Sequence, residues 1–322
     1  MKNDTAWKAY LSDRERFADL VNGLIFAGGS AVRVCDVEEL DTQAGYIREP
    51  GRKKMGNLKI RDTFRKVRFG KHEILIGIEC EEVIDYAMPL RDMYYTVAEY
   101  EKQAAEIRRQ VRKETKTVKE LNSSERLYHF RRDSRLMPAV TITLYCGEEE
   151  WDGPKTLQEM TQLEGLPEAL RIMVQNYQIH LVRVRNLKDT SMFHTDVRQV
   201  LDFIRFSKDK HALRKLMKED MHYQQLEEDA LDVMIQYAGI QKLIKAEKYY
   251  REDGKIDMRT AFDELIEDGR KEGLAEGIIK SGRRHLYSND VILEDIVAET
   301  GFDYSSARKV LEEFDRNQSA QI

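Results

Sequence analysis

Residues 61–81 decide the fold, and they read RDTFRKVRFGKHEILIGIECE. Residues 73–79, EILIGIE, are rich in isoleucine, which is typical of a half-buried strand, and the residues before them are compatible with a second strand. Phe-Gly-Lys at 69–71 interrupts the pattern and predicts a turn. We therefore expect one strand within 57–67 and a second within 73–79, paired as neighbours.

The flanking segments add helices and one more strong strand. Residues 138–146, PAVTITLYC, predict that strand, and 31–35 predict a short one. A long helix is expected over 85–119, where no Gly or Pro follows Pro89. A helix over 5–27 is indicated by one apolar stripe with helical spacing, which consists of Phe17, Leu20, Val21, Leu24 and Ile25.

Beyond residue 190 strand patterns vanish. Helices are predicted over six segments: 194–206, 208–218, 222–250, 258–286, 290–299 and 303–316. The order of elements predicts the α/β class, with a mixed sheet flanked by helices and an all-helical C-terminal region. We expect three parts: residues 1–190, a helical extension over 191–255, and a charged helical region over 256–322.

Composition favours a cytoplasmic protein. Of the 322 residues, 41% are apolar and 34% are charged, and the net charge is −5. Cys35, Cys80 and Cys146 form no CxxC pair, so we expect reduced, buried thiols. The first residues contain no apolar signal segment, and no apolar run is long enough for a bilayer, so no membrane partner is expected.

The charge is segregated along the chain. Residues 48–71 contain ten basic side chains against Glu49 and Asp62, and residues 101–135 contain eleven basic and six acidic side chains. Clustered Lys and Arg neutralise phosphates without reading sequence. A charged run is more often a solvated surface, but two runs that flank one set of acids favour nucleic acid as the partner.

Those acids are Asp62 on the first predicted strand and Glu79 and Glu81 at the end of the next. Hydrolysis of a phosphodiester needs a divalent ion, and Mg²⁺ prefers carboxylates and other oxygen ligands. Asp62, Glu79 and the backbone carbonyl of Cys80 are candidate metal ligands, and Asp62, Glu79 and Glu81 are candidate catalytic residues. The spacing alone is weak, because two solvated acids at strand ends would give the same pattern.

Several blocks of sequence resemble the Rpn family, recombination-promoting nucleases also described as transposases, within the PD-(D/E)xK superfamily. These blocks are residues 3–24 with Asp4, Trp7-Lys8 and Ser12-Asp13, residues 61–67 and 74–95, residues 136–153 with Tyr145, Gly147 and Trp151, and the charged, glycine-rich 263–277. They appear in the family's order. The family's catalytic Asp falls on Asp62 and its Glu on Glu79.

The resemblance implies a PD-(D/E)xK-like nuclease domain over 1–190. It implies an endonuclease that cuts double-stranded DNA with Mg²⁺ or Mn²⁺ and little sequence preference, linked to recombination or to mobile DNA. Family members commonly have E-x-Q or E-x-K where this chain has Glu79-Cys80-Glu81. The alternative is therefore a catalytically weakened DNA-binding or interaction protein of the same fold. A DDE-type transposase would need a further carboxylate on a separate element. The basic side chains expected to contact DNA are Arg61, Arg65, Lys66, Arg68 and Arg91.

Residues 294–314 resemble a helix-turn-helix, but the stretch from 290 to 316 contains eight acids and three bases. An acidic surface repels phosphate. We expect this module to contact the basic part of its own chain, or of a second copy, rather than to read DNA.

Overall fold

The computed structural model describes residues 3–40, 63–114, 121–238 and 249–319. The chain divides into two compact units. The first comprises Met1–Lys210 with Glu228–Gly239, and the second comprises His211–Glu227 with Ile240–Ile322. Residues of the predicted extension, 191–255, occur in both units, and the three-part division stays a prediction.

A five-stranded mixed sheet lies in the first unit, as the α/β prediction required. The spatial order of the strands follows the chain: the first three pair antiparallel with one another in sequence, and the third, fourth and fifth pair parallel. The strands are β1 (Val37–Glu39), β2 (Thr63–Phe69), β3 (His72–Glu81), β4 (Ala139–Tyr145) and β5 (His180–Arg183).

The predicted hairpin is confirmed for the described residues. Gly70 has φ of 59° and turns the chain between β2 and β3, a backbone conformation that glycine adopts without a steric penalty. The predicted strands 73–79 and 138–146 correspond to β3 and β4. Residues 57–62 of the other predicted strand lie outside the described residues.

Seven helices belong to the described part of this unit: α1 (Asn3–Tyr10), α2 (Arg14–Phe26), α3 (Met88–Glu114), α4 (Ser123–Tyr128), α5 (Glu168–Arg171), α6 (Val197–Phe206) and α8 (Glu228–Ala238). The long predicted helix is α3, which is described over Met88–Glu114; residues 115–119 of that prediction lie outside the described residues.

Two sequence predictions near the N-terminus were wrong. The expected single helix over 5–27 is two helices, because the Asp13 side chain accepts hydrogen bonds from the backbone N–H groups of Glu15 and Arg16 and begins α2 there. The strand expected over 31–35 is replaced by a 3-10 turn, Val34–Asp36, and strand pairing begins at Val37. An ion pair of 2.6 Å between Arg33 and Asp36 closes that turn.

A buried arginine connects α2, α6 and α8. The Arg16 side chain is 6% exposed and contacts Asp196 at 2.8 Å and Asp229 at 2.6 Å. Its guanidinium also lies over the Tyr10 ring, 4.4 Å from the centroid, and the Tyr10 hydroxyl donates to Asp196. The two carboxylates therefore share one cation, and removing it would leave them uncompensated.

We expect Arg16→Met to lower the free energy of unfolding by about 3–5 kcal/mol, the usual effect of removing one member of a buried ion pair. Arg14→Ala is the matched control, since Arg14 is exposed on the same helix, and should change stability by less than ~0.5 kcal/mol. Urea unfolding followed by circular dichroism measures both. Equal stability of the two variants would contradict a structural role for Arg16.

The second unit is helical in its described part. It contains α7 (Lys210–Glu219, which begins at the boundary), α9 (Met258–Arg284), α10 (Asn289–Thr300) and α11 (Tyr304–Ser319). The end of α9 packs with α10 and α11 around a small core that includes Ile279, Ile296 and Leu311. The predicted helix pair over 290–299 and 303–316 is confirmed.

The helix predicted over 222–250 is not continuous in the described residues. A 3-10 turn, Met221–Gln224, precedes α8, and Asp220 caps that turn through its side chain. Residues 239–248 of this prediction lie outside the described part. Across the described ranges, no helix combines the length and the apolar character that crossing a bilayer requires.

Candidate active site at the end of strand β3

One face of the sheet is polar around the end of β3. Glu79 and Glu81 lie on the same face, because side chains alternate along a strand. Register places Thr143 opposite Glu79 and Thr141 opposite Gly77 on β4. Glu79 is 4% exposed and the two threonines are 0–1% exposed, so polar groups occupy a layer that is usually apolar. Burying them costs free energy, which marks this face as a candidate site.

Arg91 joins the acids of this face. Asp85 accepts a hydrogen bond of 2.8 Å from the Ala87 N–H just before α3 begins, and Arg91 lies in the first turns of α3. The Arg91 guanidinium contacts Glu81, lies 2.9 Å from an oxygen of Asp85, and lies 3.7 Å from Oε2 of Glu79. One guanidinium is thus the shared counter-ion of three carboxylates.

The chemistry of this cluster suits a cation. Carboxylate oxygens are the ligands that hard divalent ions prefer, and here they surround a positive group. Within the described ranges, however, no three Asp, Glu, His or Cys side chains converge as a metal site. Asp62 and Arg61, two residues predicted for the site, lie outside the described residues, so the predicted metal site stays a prediction.

Cys80 and Arg65 point away from Glu79. The Cys80 side chain is on the other face of β3 and is buried, so only its backbone carbonyl remains as a predicted ligand. The register pairs Arg65 with Ile76, which also belongs to that other face. Arg65 is 7% exposed and 3.3 Å from Glu39, and burial lowers its pKa. Phosphate would reach Arg65 only after local rearrangement.

Lys66 and Arg68 share the face of Glu79, but acids surround them. Lys66 lies 2.6 Å from Glu38 and 3.3 Å from Glu73, and Arg68 lies 2.7 Å from Glu38. The hydrogen bond that Lys66 donates to Glu38 raises the pKa of Lys66. The charge of this basic run is therefore partly compensated by β1, whose acids precede the run in the chain and were not counted with it.

A cavity of about 410 Å³ opens beyond the ends of β3 and β4, and its lining includes Glu82, Tyr145, Gly147, Arg185 and Tyr237. Arg185 donates to the carbonyl oxygens of Gly147 (3.0 Å) and Ile204 (2.6 Å), so it fixes the end of β4 to α6. The sequence analysis did not select Arg185, Thr141 or Thr143, because their roles depend on strand register and tertiary contact.

The cysteines differ in exposure. Cys80 and Cys146 are buried, and burial raises the pKa of Cys146 to about 12. Cys35 is exposed, which corrects the expectation of three buried thiols. It lies in the 3-10 turn that replaces the predicted strand.

Compared with protein-family models, curated proteins and solved structures, the chain matches none. The resemblance to the Rpn family therefore rests on the quoted residues and on the chemistry of the acids at the end of β3.

Proposed function

We propose that the chain is a metal-dependent DNA endonuclease of the PD-(D/E)xK type with little sequence specificity, and that its first unit has that fold. The observation that carries the proposal is a buried carboxylate, Glu79, beside Glu81 on one sheet face, with cationic Arg91 between them. A deeply buried acid in a polar layer is more typical of a functional site than of a structural core.

Chain connectivity supports Asp62 as the second metal ligand. Thr63 is the register partner of Ile78. Asp62 immediately precedes Thr63 in the chain, and Glu79 immediately follows Ile78. We therefore propose that Asp62 and Glu79 act together, with the Cys80 carbonyl as a third ligand and Mg²⁺ or Mn²⁺ as the ion.

A bound divalent ion supplies a Lewis acid that polarises the phosphodiester and makes water a better nucleophile. The residues of the chain orient the attacking water and neutralise the charge of the phosphate. Glu81 is 19% exposed, so it is open enough to accept a proton from the attacking water and buried enough to be held in place. Arg91, once its carboxylate partners have another counter-ion, is placed to contact a phosphate oxygen.

A second candidate function is DNA binding without cleavage. The contacts of Arg91 favour it, because the guanidinium neutralises the carboxylates that an ion would need. Members of the Rpn family commonly have Gln or Lys at the position of Glu81. Glu81 instead adds negative charge to the site, whereas Lys or Gln would help to offset the negative charge of the reacting phosphate. In this case the fold binds DNA and turnover is weak or absent.

Supercoiled plasmid incubated with the full chain distinguishes the two functions. We expect nicked and linear products with Mg²⁺, faster cleavage with Mn²⁺, which tolerates looser carboxylate sites, and none with EDTA. Binding without cleavage under every ion would support the second candidate and contradict the first. Cleavage that persists in EDTA would contradict both, because neither assigns an ion-independent reaction.

A further inference from the structure

The second half of α3 presents a row of cations. Arg108, Arg109, Arg112 and Lys113 line an open groove of about 690 Å³. Ala104 and Val111 are buried on a neighbouring face of the helix, whereas Arg109, Arg112 and Lys113 are exposed and Arg108 is half-exposed. Arg108 lies 3.6 Å from Glu101 and Arg109 lies 2.6 Å from Glu106. Such exposed pairs are weak, and phosphates can replace them.

The segment 121–136 adds exposed aromatic and basic side chains. Tyr128 is 68% exposed and Leu127 is 70% exposed, so the ring of Tyr128 is accessible from solvent. Arg126, Arg132 and Arg135 of the same segment are also exposed. The end of the segment is fixed to α3, because the Gln103 side chain both donates to and accepts from the backbone of Met137.

The local backbone holds this arrangement in place. Glu125 accepts hydrogen bonds from the backbone N–H groups of Asn122 (3.0 Å) and Arg132 (3.1 Å), and these bonds lower its pKa. The carboxylate therefore organises the loop. His129 ends α4 with φ of 53°, a left-handed conformation that costs about 1–2 kcal/mol in a residue with a Cβ. The chain therefore leaves the helix immediately after Tyr128.

We propose that these two elements form a binding surface for single-stranded DNA, in which Tyr128 stacks on a base and the arginines and Lys113 track the phosphates. We name it the cationic surface, and it consists of Arg108, Arg109, Arg112, Lys113, Arg126, Tyr128, Arg132 and Arg135. Cations that follow the backbone, combined with an aromatic ring that stacks on bases, are how proteins bind single strands without reading sequence. Duplex DNA offers the same phosphates but hides the faces of its bases.

The inference rests on the proposed function for the choice of DNA, and it narrows the substrate to DNA that contains unpaired bases. Arg91 and Arg112 lie on the same helix, 21 residues apart, which corresponds to about 30 Å at 1.5 Å per residue. A substrate that reaches both the candidate active site and the cationic surface must therefore extend well beyond a few nucleotides.

The test measures binding without cleavage. Fluorescently labelled oligo(dT) and a duplex of equal length are titrated with the full chain in EDTA and followed by anisotropy. Tyr128→Ala should weaken binding of the single strand roughly tenfold, within the range for one stacked base, and leave duplex binding nearly unchanged. Tyr128→Phe should bind as the unmodified protein does, because it retains the ring. Arg112→Ala combined with Lys113→Ala should weaken binding of both DNAs and reduce the salt slope by about two.

Matched controls are Tyr304→Ala and Lys215→Ala, whose side chains are also exposed but lie outside the cationic surface. Neither should change binding. Equal effects of Tyr128→Ala on both DNAs, weak binding by Tyr128→Phe, or a preference for oligo(U) over oligo(dT) would overturn the inference. If the unmodified protein cleaves DNA and the Tyr128→Ala variant binds single strands as tightly as it does, the proposed single-strand surface is wrong and the nuclease proposal stands. If the variants change binding as expected but the unmodified protein cleaves no DNA, the nuclease proposal is wrong and the single-strand surface stands.

Discussion

Asp62→Ala and Glu79→Gln are each expected to abolish DNA cleavage while DNA binding persists. Both side chains are proposed ligands of the same ion, and losing one removes the charge stabilisation that the ion gives to the transition state. That contribution amounts to several kcal/mol, or roughly a thousandfold in rate. Binding should persist because the cationic surface contains neither of these carboxylates. Initial rates of plasmid nicking with Mn²⁺, together with oligonucleotide anisotropy, measure the two effects.

Glu73→Gln is the matched control for Glu79→Gln. Glu73 lies on the same strand and the same face, and its nearest partners are Lys66 and Arg68. It should cleave at close to the normal rate, because Glu73 has no part in the proposed site. Cleavage that survives in Asp62→Ala would refute the assignment of the active site. Loss of cleavage in Glu73→Gln to the same degree would point to a general effect of acids on this strand.

The hairpin and the central parallel strand were predictable because their patterns are local. The glycine at the turn and the isoleucine-rich or apolar runs of β3 and β4 each act within about ten residues. β5 was missed, since its four residues, HLVR, show no such pattern and its side chains are only partly buried. It is a strand because β4 offers it a parallel partner. The break between α1 and α2 was available in the sequence as the Ser12-Asp13 cap signal, but the apolar stripe outweighed it.

The candidate site also has some features that the local sequence predicts and others that depend on tertiary contacts. That Glu79 and Glu81 share a face follows from alternation alone. Their burial and the contact with Arg91 do not, because they depend on where α3 begins relative to the sheet. The sequence also did not predict that Glu38 neutralises the charge of Lys66, since the pairing of β1 with β2 brings together these two residues, which are 28 positions apart. Counting charge in a window along the sequence therefore overstated the free positive charge near β2.

Arg91→Ala is expected to make the stability of the protein depend on divalent ions. Without the guanidinium, Glu79, Glu81 and Asp85 lose their shared counter-ion. The side chains of Arg91, Glu81 and Glu79 are only 5–19% exposed, so the loss should cost about 3 kcal/mol in EDTA. Mn²⁺ should restore much of this, because an ion at a hundred times its Kd contributes ~2.7 kcal/mol. Mn²⁺ should stabilise the unmodified protein less than it stabilises the variant, since the ion must first displace Arg91.

Thermal unfolding in EDTA and in Mn²⁺ measures the change, and electron paramagnetic resonance of free Mn²⁺ counts the ions bound. Arg91→Lys keeps one positive charge and should lie between the two proteins, which tests the idea even where Arg91→Ala folds poorly. Arg109→Ala is the control, because its pair with Glu106 is exposed and is worth at most about 1 kcal/mol. If Arg91→Ala is destabilised but binds no Mn²⁺, the three carboxylates form a structural ion-pair cluster with Arg91 and not a metal site. The DNA-binding function would then stand without the nuclease.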